Sequence, residues 1–88
     1  MADYVDLQPS DDSLITFDGS ILEVFAGSVS GRFHAKGIED IEVSTGFGRN
    51  IMVKNRFGSD VGLGYDKERL PEIEEFVARV LAAVRSTG

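Results

Sequence analysis

The 88-residue sequence contains no cysteine and only one histidine. Without cysteine the chain has no disulfide, no thiolate metal ligand and no cysteine nucleophile. With a single histidine the chain cannot form a histidine-rich zinc site, and most serine–histidine catalysis is disfavoured. Adjacent carboxylates such as Asp11 and Asp12 diverge on strands and helices alike, so they form no ready acid–base or metal pair. We therefore predict that the protein is not an enzyme and that it has no catalytic residue, metal ion or cofactor.

The sequence also lacks a long apolar run, whereas a membrane-spanning helix needs about 20 consecutive, mostly apolar residues. Its first residues are acidic, whereas a signal peptide starts with basic and then apolar residues. Apolar residues make up 42% of the chain, which is ordinary for a folded protein. These features predict one small cytoplasmic domain.

Basic residues are absent before Arg32, and the net charge of the chain is −6. An anionic protein is repelled by phosphate backbones and anionic headgroups, so nucleic acid is disfavoured as a partner and membrane contact is not favoured. We interpret residues 1–12 as an acidic, partly disordered N-terminal segment and residues 13–88 as a single domain. The alternative is that the acidic segment docks on a basic surface of its own chain or of another.

Turn-forming residues 8–12 predict that Tyr4, Val5 and Leu7 stand apart from the strand pattern that follows. Residues 14–17 and 21–25 then flank Asp18-Gly19, and Asp-Gly between two apolar runs is the strongest short-range signal of a β-hairpin. Further strands are predicted at 50–54 and 61–65, with turns at 46–48 and 55–60.

Residues 32–44 alternate between polar and apolar with period two, which predicts a second hairpin with Ile38 at its turn. In that register, basic or titratable side chains face acidic or polar ones across the two strands. The facing pairs would be Lys36 with Asp40, His34 with Glu42, and Arg32 with Ser44.

The end of the chain changes to helical periodicity, with apolar residues every three to four positions over residues 70–84. Glu75 and Arg79 lie on the opposite side as an i,i+4 pair. A helix with such an apolar face must cover apolar surface, and the sheet is the candidate. We expect Phe76 and Val80 to be almost wholly buried against it.

Four segments carry a resemblance to a known family: Phe17-Asp18-Gly19 and residues 37–43, 58–64 and 72–84. Together they resemble small bacterial pleckstrin-homology-like (PH-like) domains over residues 13–85. The resemblance implies an α+β fold, a PH-like bent antiparallel β-sandwich or barrel of six to seven strands closed by one C-terminal amphipathic helix. It also implies a role in protein or lipid binding and assembly. The chain departs from lipid-binding relatives because its first hairpin carries no lysine or arginine.

We therefore predict a non-catalytic PH-like interaction module that acts by protein–protein binding or self-assembly. An open sheet edge, or the groove between an edge strand and the helix, would accept an extended peptide by strand addition. Phe47 and Phe57, both in predicted turns, are candidate anchors for the partner, or else plugs at the ends of a barrel. Gly62 and Gly64 leave one strand face bare, which marks a partner-binding groove or a sharp bend.

The alternative function is peripheral binding to an anionic membrane or another polyanion through a basic strand face. The alternative interpretation of its side chains is that they are solvated and neutralised by neighbours such as Asp40 and Glu42. The candidate anion-binding residues are Arg32, His34, Lys36, Arg49, Lys54 and Arg56.

Edge protection is sparse in the predicted sheet, because no strand carries proline and residues 61–65 carry no charge. This favours a homo-oligomer, most simply a two-fold dimer, formed through an exposed edge or the surface around Gly62 and Gly64.

Overall fold

Two antiparallel sheets and one C-terminal helix make up the part of the protein that the computed structural model describes, residues 4–27, 29–46 and 48–87. The α+β class and the C-terminal helix predicted from the sequence are confirmed. Short 3-10 helices, Ala35–Gly37 and Lys67–Arg69, precede the fifth strand and the helix. The first sheet has the order β1 (Val5–Leu7), β2 (Ser13–Phe17), β3 (Ile21–Ala26), β4 (Val29–His34); the second has the order β5 (Ile38–Ser44), β6 (Asn50–Asn55), β7 (Val61–Gly64); and α1 spans Leu70–Thr87.

The hairpin predicted at Asp18-Gly19 is confirmed and joins β2 to β3. Gly19 has a φ of 96°, a conformation that side chains other than glycine rarely adopt. The Asp18 Oδ1 atom accepts hydrogen bonds from the backbone N–H groups of Ser20 at 2.8 Å and Ile21 at 2.7 Å. The side chain of Asp18 thus satisfies the backbone donors that the turn leaves open.

Residues near the N-terminus belong to the first sheet. Val5–Leu7 pairs with β2 in antiparallel register, and the side chain of Leu7 is only 4% exposed. Pro9 is fully buried, and its carbonyl accepts a hydrogen bond of 2.9 Å from the N–H of Asp66. The expectation that Val5 and Leu7 stand apart from the strand pattern is wrong, because a three-residue strand is too short to show the alternation that identified the others.

The hairpin predicted around Ile38 is wrong, because the chain changes sheets at this point. β4 ends at His34, the 3-10 helix Ala35–Gly37 makes the crossing, and β5 pairs with β6 instead. Gly37 is buried at the crossing, and a Cβ placed on it would lie 3.3 Å from Cδ2 of Phe57. The observed partners are Arg32 with Glu23, His34 with Ile21, Asp40 with Lys54, Glu42 with Met52, and Ser44 with Asn50.

A shift of register in β5 places two isoleucines in the core. The pairing with β6 skips Glu39, between Ile38 and Asp40. Such a bulge inserts one extra residue, so side chains three positions apart point to the same face. Ile38 and Ile41 are therefore both buried, while Glu39 is exposed.

The helix α1 contacts β1 of the first sheet, β5 of the second, and the 3-10 helix between the sheets. Phe76 is 5% exposed and Val80 is 0% exposed, as predicted. Glu75 and Arg79 form the expected ion pair, with 3.6 Å between Oε1 and Nη2. Within the described ranges, no helix combines the length and the apolar character that crossing a membrane requires. The helix face shares one core with residues that include Phe33, Ile41, Ile51 and Val53, and Val43 packs against it.

Candidate functional site

A groove of about 490 Å³ lies where the C-terminal part of α1 meets the first 3-10 helix, the start of β5 and the loop after β6. Its floor is apolar, with Ala35 and Ile38 buried and Leu81 and Val84 half-buried. We call this site the basic groove, because three cations line it. Its residues are Ala35, Lys36, Ile38, Glu39, Arg56, Phe57, Leu81, Val84 and Arg85.

Phe57 is the most exposed large apolar side chain of the described residues, at 78%. Its loop is held by side chains: Asn55 Oδ1 accepts from the N–H of Phe57 at 3.1 Å, and Asp60 Oδ1 accepts from the N–H of Asn55 at 2.9 Å. The ring lies against the Gly37 backbone, which has no side chain to displace it. A large apolar ring is thereby presented to solvent from an ordered turn, a typical position for an anchor residue.

Lys36, Arg56 and Arg85 are exposed, and among the described residues none of them has a carboxylate oxygen within 4.0 Å. Among the described residues, Glu39 is the one acidic residue that lines the groove with them. Three basic side chains outside the groove, those of Lys54, Arg69 and Arg79, are in ion pairs. A protein of net charge −6 therefore has a local excess of positive charge beside an apolar floor.

The strand β5 runs along one side of the groove as an outer strand of the second sheet. An outer strand can pair with an extended segment of another chain. The N–H of Ile41 already has a partner, since Asp40 Oδ1 accepts from it at 2.9 Å. The start of β5 is not free for such pairing either, because the N–H of Ile38 donates to the carbonyl of Ala35 and the bulge at Glu39 interrupts the register.

Of the six candidate anion-binding residues, Lys36 and Arg56 line the basic groove. The link between their segments is a backbone hydrogen bond of 2.7 Å from the N–H of Arg56 to the carbonyl of Gly37. Lys36 lies in the 3-10 helix, not on a strand face shared with Arg32 and His34. The remaining four are distributed over other surfaces: Arg32 and His34 on β4, Arg49 just before β6, and Lys54 on β6 in its ion pair.

The candidate partner-binding residues are likewise divided. Phe57 lies in the basic groove, whereas Gly62 and Gly64 are exposed on β7, at the opposite edge of the second sheet. A Cβ on Gly62 would meet the end of the Met52 side chain at 3.0 Å, so that glycine face is partly covered. Phe47 lies outside the described residues.

Sequence reasoning missed the residues that α1 adds to the groove. Arg85 stands in the last turn of the helix, and Leu81 and Val84 lie at the margin of its apolar face, half-buried. The sequence did carry a signal for Leu81 and Val84, because both belong to the apolar arc of residues 70–84 on a helical wheel. Their neighbours across the groove come from distant parts of the chain, which no local pattern identifies.

Asp18 has a shifted pKa, and its carboxylate has a structural role. Hydrogen bonds from the backbone N–H groups of Ile21 and Ser20 hold the pKa of Asp18 below its ordinary value, with a smaller contribution from the charge of Arg32. Asp18 is in the β2–β3 turn and does not line the groove. Over the stretches 4–27, 29–46 and 48–87, no three His, Asp or Glu side chains are grouped so as to hold a metal ion.

The chain matches no protein-family model, and the searches of curated proteins and solved structures return no significant match.

Proposed function

We propose that the protein is a non-catalytic, PH-like interaction module whose basic groove binds an acidic and apolar part of a protein. The four-stranded and three-stranded antiparallel sheets with a C-terminal helix support the PH-like part of the proposal. In this proposal the two sheets form the bent sandwich and α1 covers the open side between β1 and β5.

The observation that carries the proposal is the exposed ring of Phe57 beside three cations that have no acidic partner among the described residues. An apolar residue of the partner would pack on Phe57 and the half-buried Leu81 and Val84. Acidic residues of the partner would meet Lys36, Arg56 and Arg85. The apolar packing and the charge pairing together select a partner that is both acidic and apolar.

A selection from a library of random displayed peptides tests the proposal, with the purified protein as bait. We expect the recovered peptides to contain aspartate or glutamate next to a large apolar residue. Binding should weaken at least about tenfold in Lys36→Glu/Arg56→Glu. The matched control is Arg32→Glu/Arg49→Glu, which changes the net charge equally outside the groove and should leave the affinity unchanged. Recovery of no peptide, or equal binding to both double variants, would contradict the proposal.

The same proteins distinguish the polyanion alternative. Vesicles of phosphatidylcholine with about one-fifth phosphatidylserine offer an anionic surface without a peptide. Vesicle binding that falls steeply with added salt, by a protein that selects no peptide, would replace the proposal with peripheral membrane binding. We expect no vesicle binding, since the net charge of −6 opposes it.

A further inference from the structure

We infer that the basic groove binds a second copy of this chain, through an acidic and apolar surface near the opposite end of helix α1. This inference rests on the proposed function, because it names the partner of the same groove. The contact joins two different surfaces, so it is head-to-tail and can repeat from copy to copy.

The second surface is a shallow depression of about 410 Å³ at the open end of the β2–β3 hairpin. Leu14 and Phe25 pair across the strands on its exposed side, with exposures of 39% and 46%. Asp11 and Asp12 lie beside them and are both exposed. We call this site the acidic patch; its residues are Gln8, Asp11, Asp12, Ser13, Leu14, Phe25, Ala26 and Gly27.

The two surfaces are complementary in charge and in apolar character. The acidic patch contains two carboxylates and no lysine or arginine, whereas the basic groove contains three cations and one carboxylate. Arg69 bonds to Asp11 at 2.8 Å, while Asp12 has no cation within 4.0 Å among the described residues. Each surface also exposes an aromatic ring, Phe25 on one and Phe57 on the other. Exposed apolar side chains with charged neighbours are typical of protein-binding surfaces.

The acidic patch lies near the start of helix α1, and the basic groove lies near its C-terminal part. The first residue of α1 follows Arg69, whose side chain bonds to Asp11 of the acidic patch, and Leu81, Val84 and Arg85 near its other end line the basic groove. From Leu70 to Leu81 and Arg85 the helix rises about 17 to 23 Å. The surfaces thus lie near opposite ends of α1, so one copy can present both at once, which favours a chain of copies.

A mixing experiment with full-length protein tests this inference. The first variant, Lys36→Glu/Arg56→Glu, disables the groove and leaves Arg85, because a basic residue in the last turn of a helix is favourable for the helix itself. The second, Asp12→Lys/Phe25→Ser, disables the patch, and Asp12→Lys alone serves if the double variant does not fold. Circular dichroism confirms folding, and light scattering gives the mass over a range of concentrations.

We expect the mass of the wild-type protein to rise with concentration and to fall on addition of salt. Each variant alone should associate at least about tenfold more weakly, while an equimolar mixture of the two should associate, because each supplies the surface that the other lacks. Arg32→Glu/Arg49→Glu and Gly62→Arg should assemble like the wild type. A monomeric wild type, a variant that assembles alone, or a mixture that stays monomeric would overturn the inference. Peptide selection by a monomeric protein would retain the proposed function and refute only this partner.

Discussion

Arg69 donates a hydrogen bond of 2.8 Å from Nη1 to the carbonyl oxygen of Gln8, a residue 61 positions earlier in the chain. Its Nη2 atom also donates to Asp11 Oδ1 at 2.8 Å, and its Nε lies 3.6 Å from Asp66 Oδ2. One guanidinium therefore ties the segment after β1 to the start of α1. This contact explains why residues that look like a detached acidic tail belong to the folded body.

Arg69→Ala should destabilise the protein by about 1–2 kcal/mol, because it removes a charge-assisted hydrogen bond to the carbonyl of Gln8, while the ion pair with the exposed Asp11 adds little. The matched control is Arg79→Ala, which removes an exposed helix pair with Glu75 and should cost less than about 0.5 kcal/mol. Urea unfolding of both variants measures the difference. Equal losses would mean that the Arg69 contacts contribute nothing beyond an ordinary surface pair.

Leu7→Ala should lower the free energy of unfolding by about 2–4 kcal/mol, since the side chain is 4% exposed and its removal leaves a cavity. The same change at Leu14, on the neighbouring strand and 39% exposed, should cost about 1 kcal/mol or less. Thermal unfolding compares the two. A Leu7 variant as stable as the Leu14 variant would show that β1 does not belong to the core.

The features that sequence predicted correctly are those set by neighbouring residues. Asp18-Gly19 specifies its turn through a positive φ and a side chain that accepts two backbone N–H groups. The apolar period of residues 70–84 specifies both the helix and the face that it buries, because residues three and four positions apart lie on the same side of a helix.

The features that sequence could not predict depend on contacts between distant residues. Period-two alternation is the same whether the chain turns back beside its own strand or crosses to another sheet, so residues 32–44 do not reveal the crossing at Gly37. The basic groove also depends on contacts between residues that are distant in the sequence. Lys36, Arg56 and Phe57 are recognisable one by one, but the hydrogen bond from Arg56 to Gly37 is what places them together.

Phe76→Ala should destabilise the protein by about 3–5 kcal/mol, because the ring is buried between α1 and the sheets. Phe57→Ala removes the same side chain from a position that is 78% exposed and should cost about 0.5 kcal/mol or less. Chemical unfolding followed by circular dichroism measures both. A large stability loss at Phe57 would show that its ring plugs the core and is not available as an anchor.

The lowered pKa of Asp18 predicts a pH dependence of stability. A carboxyl group with a folded pKa below its unfolded value stabilises the fold above the unfolded value, about 3.9, and loses that contribution as the pH falls through the folded value. Asp18→Asn keeps an oxygen acceptor but not the charge, and Asp18→Ala loses both. At neutral pH the melting temperature should therefore fall from wild type to Asn to Ala, and the gap between wild type and Asn should close in acid. A gap that is constant with pH would show that the charge of Asp18 does not contribute.

The central claim is that the basic groove is the surface through which the protein binds other protein segments. Amide NMR spectra of the nitrogen-labelled protein, recorded during titration with a peptide recovered by the selection, test it most directly. We predict that the largest changes in chemical shift fall on Lys36, Glu39, Phe57 and Arg85, and that they disappear in Lys36→Glu/Arg56→Glu. Largest changes at Gly62 and Gly64, or changes spread evenly over the surface, would contradict the claim.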